Sequence, residues 1–80
     1  MLTPEQCKAA RAIIGWSQSQ LAAQAHVGFS TVRDFEKGRH TPHHNNLKAI
    51  KETLEAGGVE FIPGNGGEPG VRPIRERPPP

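Results

Sequence analysis

The chain has 80 residues, 34% of them hydrophobic, and a formal net charge of +2. A chain of this length folds as one domain near the lower size limit for a self-sufficient hydrophobic core, which a partner subunit would help to stabilise. Its single cysteine, Cys7, excludes an internal disulfide, and its apolar runs are much shorter than the roughly 18 residues of a membrane span. We therefore expect a cytoplasmic protein with neither a signal peptide nor a membrane segment.

The first predicted element is a helix that begins after Thr3 and runs to about Ile14. Thr3 is its cap, Pro4 occupies the first helical position, and Gln6 completes a capping box. Arg11 lies within an otherwise apolar stripe of this helix, and a lone buried guanidinium would be costly. Arg11 must therefore have a partner or remain exposed. The other members of the stripe are Cys7, Ala10 and Ile14, and Gly15 follows the last turn.

Two short helices joined by a tight turn are predicted between Ser17 and Gly38. Ser17 and Gln20 form a second capping box, so the first of these helices begins at Ser17. Residues 26–28 supply the turn, and Gly38 closes the second helix as a left-handed cap. The second helix keeps one exposed face. The apolar residues that face inward are Leu21, Ala22 and Ala25 in the first helix and Val32 and Phe35 in the second.

A fourth helix follows after a loop that contains three histidines. It is predicted to begin near Asn45 or Asn46, either of which is a good cap, and to end at Gly57 and Gly58. Trp16, the only tryptophan, precedes the cap of the second helix at the position of a hydrophobic staple, where it can pack onto Leu21. The residues of the fourth helix that face inward are Leu47, Ile50 and Leu54.

A pair of short strands is one interpretation of the region after the fourth helix. Val59–Ile62 is a β-prone run, and residues 63–67 form turns readily. Residues 71–74 can then return as a second strand, which either packs on the helices or pairs across a dimer. Pro69 and Pro73 lack backbone donors and would confine this strand to an edge.

The C-terminal third is rich in glycine and proline. The alternative to a pair of strands is therefore that the chain is disordered from Pro63 onward. We therefore assign a folded domain to residues 1–62 and a Gly/Pro-rich segment to residues 63–80. Within that segment a strand near residues 71–74 remains open, and residues 75–80 are expected to be a disordered tail.

The order and spacing of these residues resemble the helix-turn-helix regulators typified by lambda Cro and the phage repressors, known as the XRE family. The family pattern is an arginine and a glycine in helix 1, then Ser-Gln-x-x-Leu-Ala-x-x-Ala, a turn, a branched residue and Glu-x-Gly. The resemblance covers residues 3–62, with departures at His26 and Phe29. The chain carries the pattern at Arg11, Gly15, Ser17, Gln18, Leu21, Ala22, Ala25, Val32, Glu36 and Gly38.

The resemblance implies an all-α fold, namely a compact four-helix lambda-repressor-like DNA-binding domain with a helix-turn-helix. Here a short C-terminal β segment or hairpin and a flexible tail would follow. In the family the helix 1 arginine pairs with the glutamate near the end of helix 3, which implies a structural pair of Arg11 with Glu36. Trp16 is expected in the core, with stacking on a nucleobase as the alternative.

The resemblance further implies that helix 3 enters the major groove with its N-terminal residues facing base edges. Arg33 can donate two hydrogen bonds to guanine. Phe29 contacts a thymine methyl or folds back onto the core. Asp34 accepts from a cytosine amine or only pairs with Arg33 or Lys37. The expected base-reading residues are Phe29, Ser30, Arg33 and Asp34.

Phosphate contacts are expected from residues around helix 3. Gln18 lies at the N-terminus of helix 2, a position that in the family binds a phosphate and often braces the first reading residue of helix 3. The helix dipole favours the phosphate contact. Between Gly28 and Lys51 the chain has a local excess of three positive charges, a plausible surface for the DNA backbone. The expected phosphate-binding residues are Gln18, Thr31, Lys37, Arg39 and His40.

Because a single module of this size reads few base pairs, we expect a homodimer on a pseudo-palindromic operator, as a repressor or an activator. Bound to double-stranded DNA, it would be associated with the nucleoid. The alternative is a protein-interaction regulator, such as an antitoxin or antiactivator, whose protein partner binds the C-terminal tail. The expected dimer interface is formed by Leu54, Val59, Phe61 and Ile62.

Catalysis and metal binding are not expected. His40, His43 and His44 cluster in one loop, but without cysteines or carboxylates beside them their spacing does not fit a zinc site. The sequence has no nucleophile beside a base and no glycine-rich loop after a strand. We therefore expect a protein that is not an enzyme and that has no metal and no cofactor.

Overall fold

The computed structural model describes residues 2–64 and 67–74, and in these ranges the chain forms four helices followed by a two-stranded antiparallel sheet. The mainly helical fold with a C-terminal hairpin agrees with the prediction. The predicted tail, residues 75–80, lies outside the described residues. The elements are α1 Pro4–Ile14, α2 Gln18–Ala25, α3 Phe29–Glu36, α4 His44–Ala56, β1 Val59–Ile62 and β2 Gly70–Pro73.

Both predicted capping boxes are confirmed. The Thr3 hydroxyl accepts from the Gln6 N–H at 3.1 Å, and the Gln6 side-chain oxygen accepts from the Thr3 N–H at 2.9 Å. Ser17 and Gln20 repeat the arrangement at 3.0 and 2.8 Å. Each box gives partners to backbone donors that the first helical turn leaves unpaired, and so fixes where α1 and α2 begin. α1 ends at Gly15, whose φ of 87° is left-handed.

The turn between α2 and α3 is made by His26 in the left-handed conformation, with φ 57° and ψ 42°. The His26 N–H donates to the carbonyl oxygens of Ala22 and Ala23, so the end of α2 is satisfied even though a non-glycine residue occupies this position. Gly28 precedes α3 without a side-chain cap, and Gly38, with φ 74°, follows its last turn as predicted.

The predicted cap of α4 is wrong by two to three residues. The cap is His43, whose Nδ1 accepts from the Asn45 N–H at 3.4 Å, so that α4 begins at His44. Asn45 and Asn46 are good caps by propensity, but here they lie inside the first turn. The predicted end at Gly57 is confirmed.

The hydrophobic core lies between the four helices and the inner side of the hairpin. Leu54 and Val59 have no exposed surface, so they cannot contribute contact area to a dimer as the sequence interpretation expected. Both residues belong to the core cluster of this same chain. The buried apolar residues are Leu2, Cys7, Ala10, Leu21, Ala22, Ala25, Val32, Phe35, Leu47, Ile50, Leu54 and Val59.

The hairpin is part of the same folded unit as the helices. β2 packs against α1, and β1 packs against α4. The Gln6 side-chain amide also donates to the Gly70 carbonyl oxygen at 2.9 Å, which fastens the start of α1 to the start of β2. The boundary predicted after residue 62 therefore falls between two paired strands, and β2 begins one residue earlier than expected.

Trp16 is partly buried and packed against the core, as predicted. Its ring lies close to the end of α4, since a Cβ placed on Gly57 would stand 3.0 Å from Trp16 Cη2 and 2.8 Å from Ile14 Cδ1. Glycine at position 57 therefore lets the C-terminus of α4 approach the segment that links α1 to α2. This contact packs the end of α1 and the link before α2 against the end of α4.

Candidate nucleic-acid interface

The two faces of α3 differ in burial. Val32, Phe35 and Glu36 are buried against the rest of the domain. On the opposite side Ser30 is exposed and Phe29 is 45% exposed. Because residues 29, 30 and 33 fall on one side of a helix, they form a continuous outer face. The N-terminal half of α3 is therefore accessible to a binding partner of the domain.

The inner face of α3 is anchored by the predicted pair of Arg11 with Glu36. Arg11 Nε donates to Glu36 Oε2 and Arg11 Nη2 to Glu36 Oε1, both at 2.7 Å, a bidentate geometry. Arg11 Nη1 donates to the Trp16 carbonyl oxygen at 3.0 Å. Cys7 Sγ donates to Glu36 Oε2 at 3.1 Å, and Gln18 Nε2 donates to Glu36 Oε1 at 3.0 Å. The carboxylate therefore joins α1, α2 and α3.

These contacts shift the pKa values of the groups involved. Burial raises the pKa of Glu36, but the hydrogen bonds from Arg11, Cys7 and Gln18 outweigh it and hold that pKa below its usual range. The hydrogen bond to Glu36 raises the pKa of Arg11. Burial, with the Glu36 carboxylate beside it, raises the pKa of the Cys7 thiol strongly. Cys7 is therefore a neutral donor and not a reactive thiolate.

Gln18 has a different local partner from the one the sequence interpretation gave it. The prediction has its side chain binding a phosphate and bracing the first reading residue of α3. In the structure its amide donates to Glu36. Gln18 therefore braces the last turn of α3 instead of the first, and this leaves its backbone N–H at the start of α2 as the group that can face a phosphate.

Arg33 stands on the outer face of α3 between two supporting side chains. Its guanidinium carbon lies 5.7 Å from the centroid of the Phe29 ring, within cation–π range. Its Nε donates to Asp34 Oδ1 at 3.0 Å. That hydrogen bond lowers the pKa of Asp34, which is therefore ionised at neutral pH. The alternative in which Phe29 folds back onto the core is wrong, and the pair of Asp34 with Arg33 is observed.

A cleft between the start of α1, the start of α2 and the loop after α3 brings together part of the predicted phosphate-binding set. Gln18, Lys37 and Arg39 line it, while Thr31 and His40 do not. Lys8 lines it as well and was missed by sequence reasoning. Its position one helical turn before Arg11 was the available signal, because residues three apart share a helical face.

Two further observations limit the kinds of site in the part of the chain that the structure describes. His43 caps α4, and residues 2–64 and 67–74 contain no group of three His, Cys, Asp or Glu side chains arranged to hold a metal ion. In the same ranges no helix is both long and apolar enough to cross a bilayer.

Comparison with known families agrees with this geometry. The family model described as helix-turn-helix, HTH_3, matches residues 8–60, which include all of α2, α3 and α4. The match covers 53 of the 80 residues. No curated protein matches the chain. HTH_3 is a DNA-binding regulatory family and is not typically enzymatic. The chain therefore belongs to the XRE-type helix-turn-helix family and is a DNA-binding regulator.

Proposed function

We propose that the protein binds a pseudo-palindromic operator as a homodimer and reads its sequence with the outer face of α3 in the major groove. The observation that carries this proposal is the contrast between the two faces of α3. Its inner face is fixed by the bidentate pair of Arg11 with Glu36, and its outer face presents Arg33. A rigid helix with an exposed arginine can place two donors against the O6 and N7 of a guanine.

The cleft lined by Lys8, Lys37 and Arg39 would follow the DNA backbone on one side of α3. The cations of this cleft carry charge but read no base, so they would set affinity and salt dependence. Thr31 and His40 would contact phosphates outside this cleft. Ser30 remains a base-reading residue by its place on the outer face.

The dimer would form through the outward face of the hairpin, which we call the hairpin face and define as Glu60, Ile62, Arg72 and Ile74. Residues alternate along β1: Val59 is buried and Phe61 half-buried, while Glu60 and Ile62 are exposed. The apolar side chains of Ile62 and Ile74 flank a cross-strand pair in which Arg72 Nε donates to Glu60 Oε1 at 2.8 Å. Of the four residues expected at the interface, Ile62 remains on this face.

The hairpin face is complementary in charge to a second copy of itself. In register, Glu60 lies opposite Arg72, one on each strand. A two-fold axis parallel to the strands would lay β1 of one copy over β2 of the other, so each Glu60 would face the Arg72 of the second copy. The face is small compared with the interfaces of stable dimers, so we expect a weak dimer that binding to two half-sites completes.

Selection from a pool of randomised DNA duplexes tests the DNA-binding part of the proposal. We expect enrichment of two related half-sites about one helical turn apart. Arg33→Ala should abolish the preference, while Lys51→Ala, which removes the same charge from an exposed position on α4, should leave it intact. Recovery of no common sequence would contradict the proposal and favour the protein-interaction alternative.

Sedimentation analysis of charge-reversed variants tests the dimer. Glu60→Arg and Arg72→Glu should each be monomeric, because like charges then face each other across the two-fold axis. An equimolar mixture should form a dimer again, since the hairpin face of the first variant carries two positive charges and that of the second carries two negative charges. A wild type that stays monomeric with and without operator DNA, or variants that still dimerise, would contradict this surface.

A further inference from the structure

We propose that Phe29 and Asp34 are positioning residues for Arg33, and that they hold its guanidinium so that its terminal edge faces a guanine. This inference rests on the proposed function, because it concerns how the outer face of α3 reads sequence. It differs from the assignment by position, in which Phe29 and Asp34 each contact a base of their own.

Phe29 supplies a surface for the guanidinium. It lies one helical turn before Arg33, at the i, i+4 spacing that brings side chains together, and its ring centroid is 5.7 Å from the guanidinium carbon. An unsupported arginine side chain samples many rotamers and loses that freedom on binding. An exposed phenylalanine beneath it reduces this loss, and the cation–π attraction strengthens when DNA excludes water from the stack.

Asp34 determines which edge of the guanidinium remains available. Its Oδ1 accepts from Arg33 Nε at 3.0 Å, and among the described residues the two terminal nitrogens of Arg33 make no hydrogen bond. Bidentate contact with guanine uses two donors on one edge. With Nε engaged by Asp34, the edge formed by Nη1 and Nη2 is the one that can face the base.

The charge of Asp34 also distinguishes a positioning role from the role of a carboxylate that only adds charge to the DNA-binding face. A carboxylate on a DNA-binding face repels phosphates, so by charge alone its removal would strengthen binding to every DNA sequence. The nearby cations Lys37 and Arg39 reduce this repulsion without removing it. If Asp34 positions Arg33, neutralising Asp34 should therefore weaken binding to the operator and strengthen binding to unrelated duplex.

Fluorescence anisotropy with the selected operator and a scrambled duplex tests the inference. The variants are Asp34→Asn, which keeps the shape and loses the charge, and Phe29→Leu, which keeps apolar bulk and loses the aromatic face. Each substitution is made both in the wild-type chain and in the Arg33→Ala variant, and urea unfolding confirms that every resulting protein folds. In the otherwise wild-type chain we expect each substitution to weaken operator binding about threefold to tenfold. In the Arg33→Ala chain neither should weaken it, because both groups act through Arg33.

Substitution of single operator base pairs completes the test. In the wild type one guanine should dominate, and both variants should relax the preference at that same guanine, with Asp34→Asn binding the scrambled duplex more tightly. A weakening of operator binding that persists in Arg33→Ala, or that maps to a different base pair, would overturn the inference about Phe29 and Asp34 while leaving the proposed function intact. A wild type that does not distinguish operator from scrambled duplex would overturn the proposed function as well.

Discussion

α3 carries two ion pairs that differ in exposure and in the number of contacts that support them. In the pair on its inner face the side chains of Arg11 and Glu36 are 20% and 2% exposed. In the pair on its outer face the side chains of Arg33 and Asp34 are 40% and 31% exposed. The inner carboxylate accepts four hydrogen bonds from three side chains, whereas the outer pair shares one bond between neighbours in sequence. One eight-residue helix thus has an inner side that stabilises the fold and an outer side that we propose reads DNA.

Removal of the inner carboxylate should produce the largest effect on folding. Glu36→Ala leaves Arg11 facing a mostly buried site without its acceptor, and we expect a loss of about 3 kcal/mol of unfolding free energy in urea titration. Arg11→Met combined with Glu36→Leu should cost much less than the sum of the single changes, because no unpaired charge remains. Additive losses would show that the two residues do not act as a pair.

The second largest effect on stability should come from acid, which weakens the pair of Arg11 with Glu36. The pKa of Glu36 lies below its ordinary value of 4.5 in the folded protein, so as pH falls below that value the unfolded chain takes up a proton first. The stability that Glu36 contributes is therefore complete above about pH 5 and is lost as pH falls through its folded pKa. The difference in unfolding free energy between wild type and Glu36→Gln should shrink by up to about 1.4 kcal/mol per pH unit. A constant difference between pH 6 and pH 3 would contradict this assignment.

The left-handed turn before α3 can be altered by a substitution that leaves both ion pairs of α3 unchanged. His26→Gly relieves a left-handed backbone that costs about 1 to 2 kcal/mol in a non-glycine residue, while the added freedom of the unfolded chain offsets about 0.5 to 1 kcal/mol. We expect a net gain of about 0.5 kcal/mol by thermal unfolding, with unchanged operator affinity. Ala23→Gly, inside α2, is the control and should lose about 1 kcal/mol.

The outer pair should contribute least to stability. Because both side chains are partly exposed and Arg33 contacts only surface groups, Asp34 and the exposed Phe29 ring, Arg33→Ala should leave the urea midpoint of unfolding at the wild-type value. The same variant is expected to lose operator preference. A clear shift of the midpoint would show that Arg33 also supports the fold, and the separation between the two faces of α3 would then be incomplete.

The elements and their starts were predictable because their signals are local. The two capping boxes and the glycine after α1 act through backbone groups within one turn. The start of α4 was not predictable in this way, since His43 can accept through a ring nitrogen while two asparagines nearby have the stronger propensity. Local signals identify a helix more reliably than they identify which of several polar residues caps it.

The partners of side chains were predicted less well than the elements. The pattern of Leu54 and Val59 marks them as apolar and inward, but it does not say whether a partner subunit or the core of this same chain buries them. Likewise, the position of Gln18 at the start of α2 suggested a phosphate, and its contact with Glu36 depends on how three helices meet. Such contacts follow from tertiary packing, which no single stretch of sequence contains.

The Gln6 side chain connects the two ends of the described chain. Its oxygen completes the cap of α1, and its amide holds β2 through the Gly70 carbonyl oxygen, 64 positions later in sequence. A contact of such long range forms late in folding, because the intervening chain must first be ordered. The hairpin should therefore dock after the helices have assembled and, in the native protein, exchange its amide protons before they do.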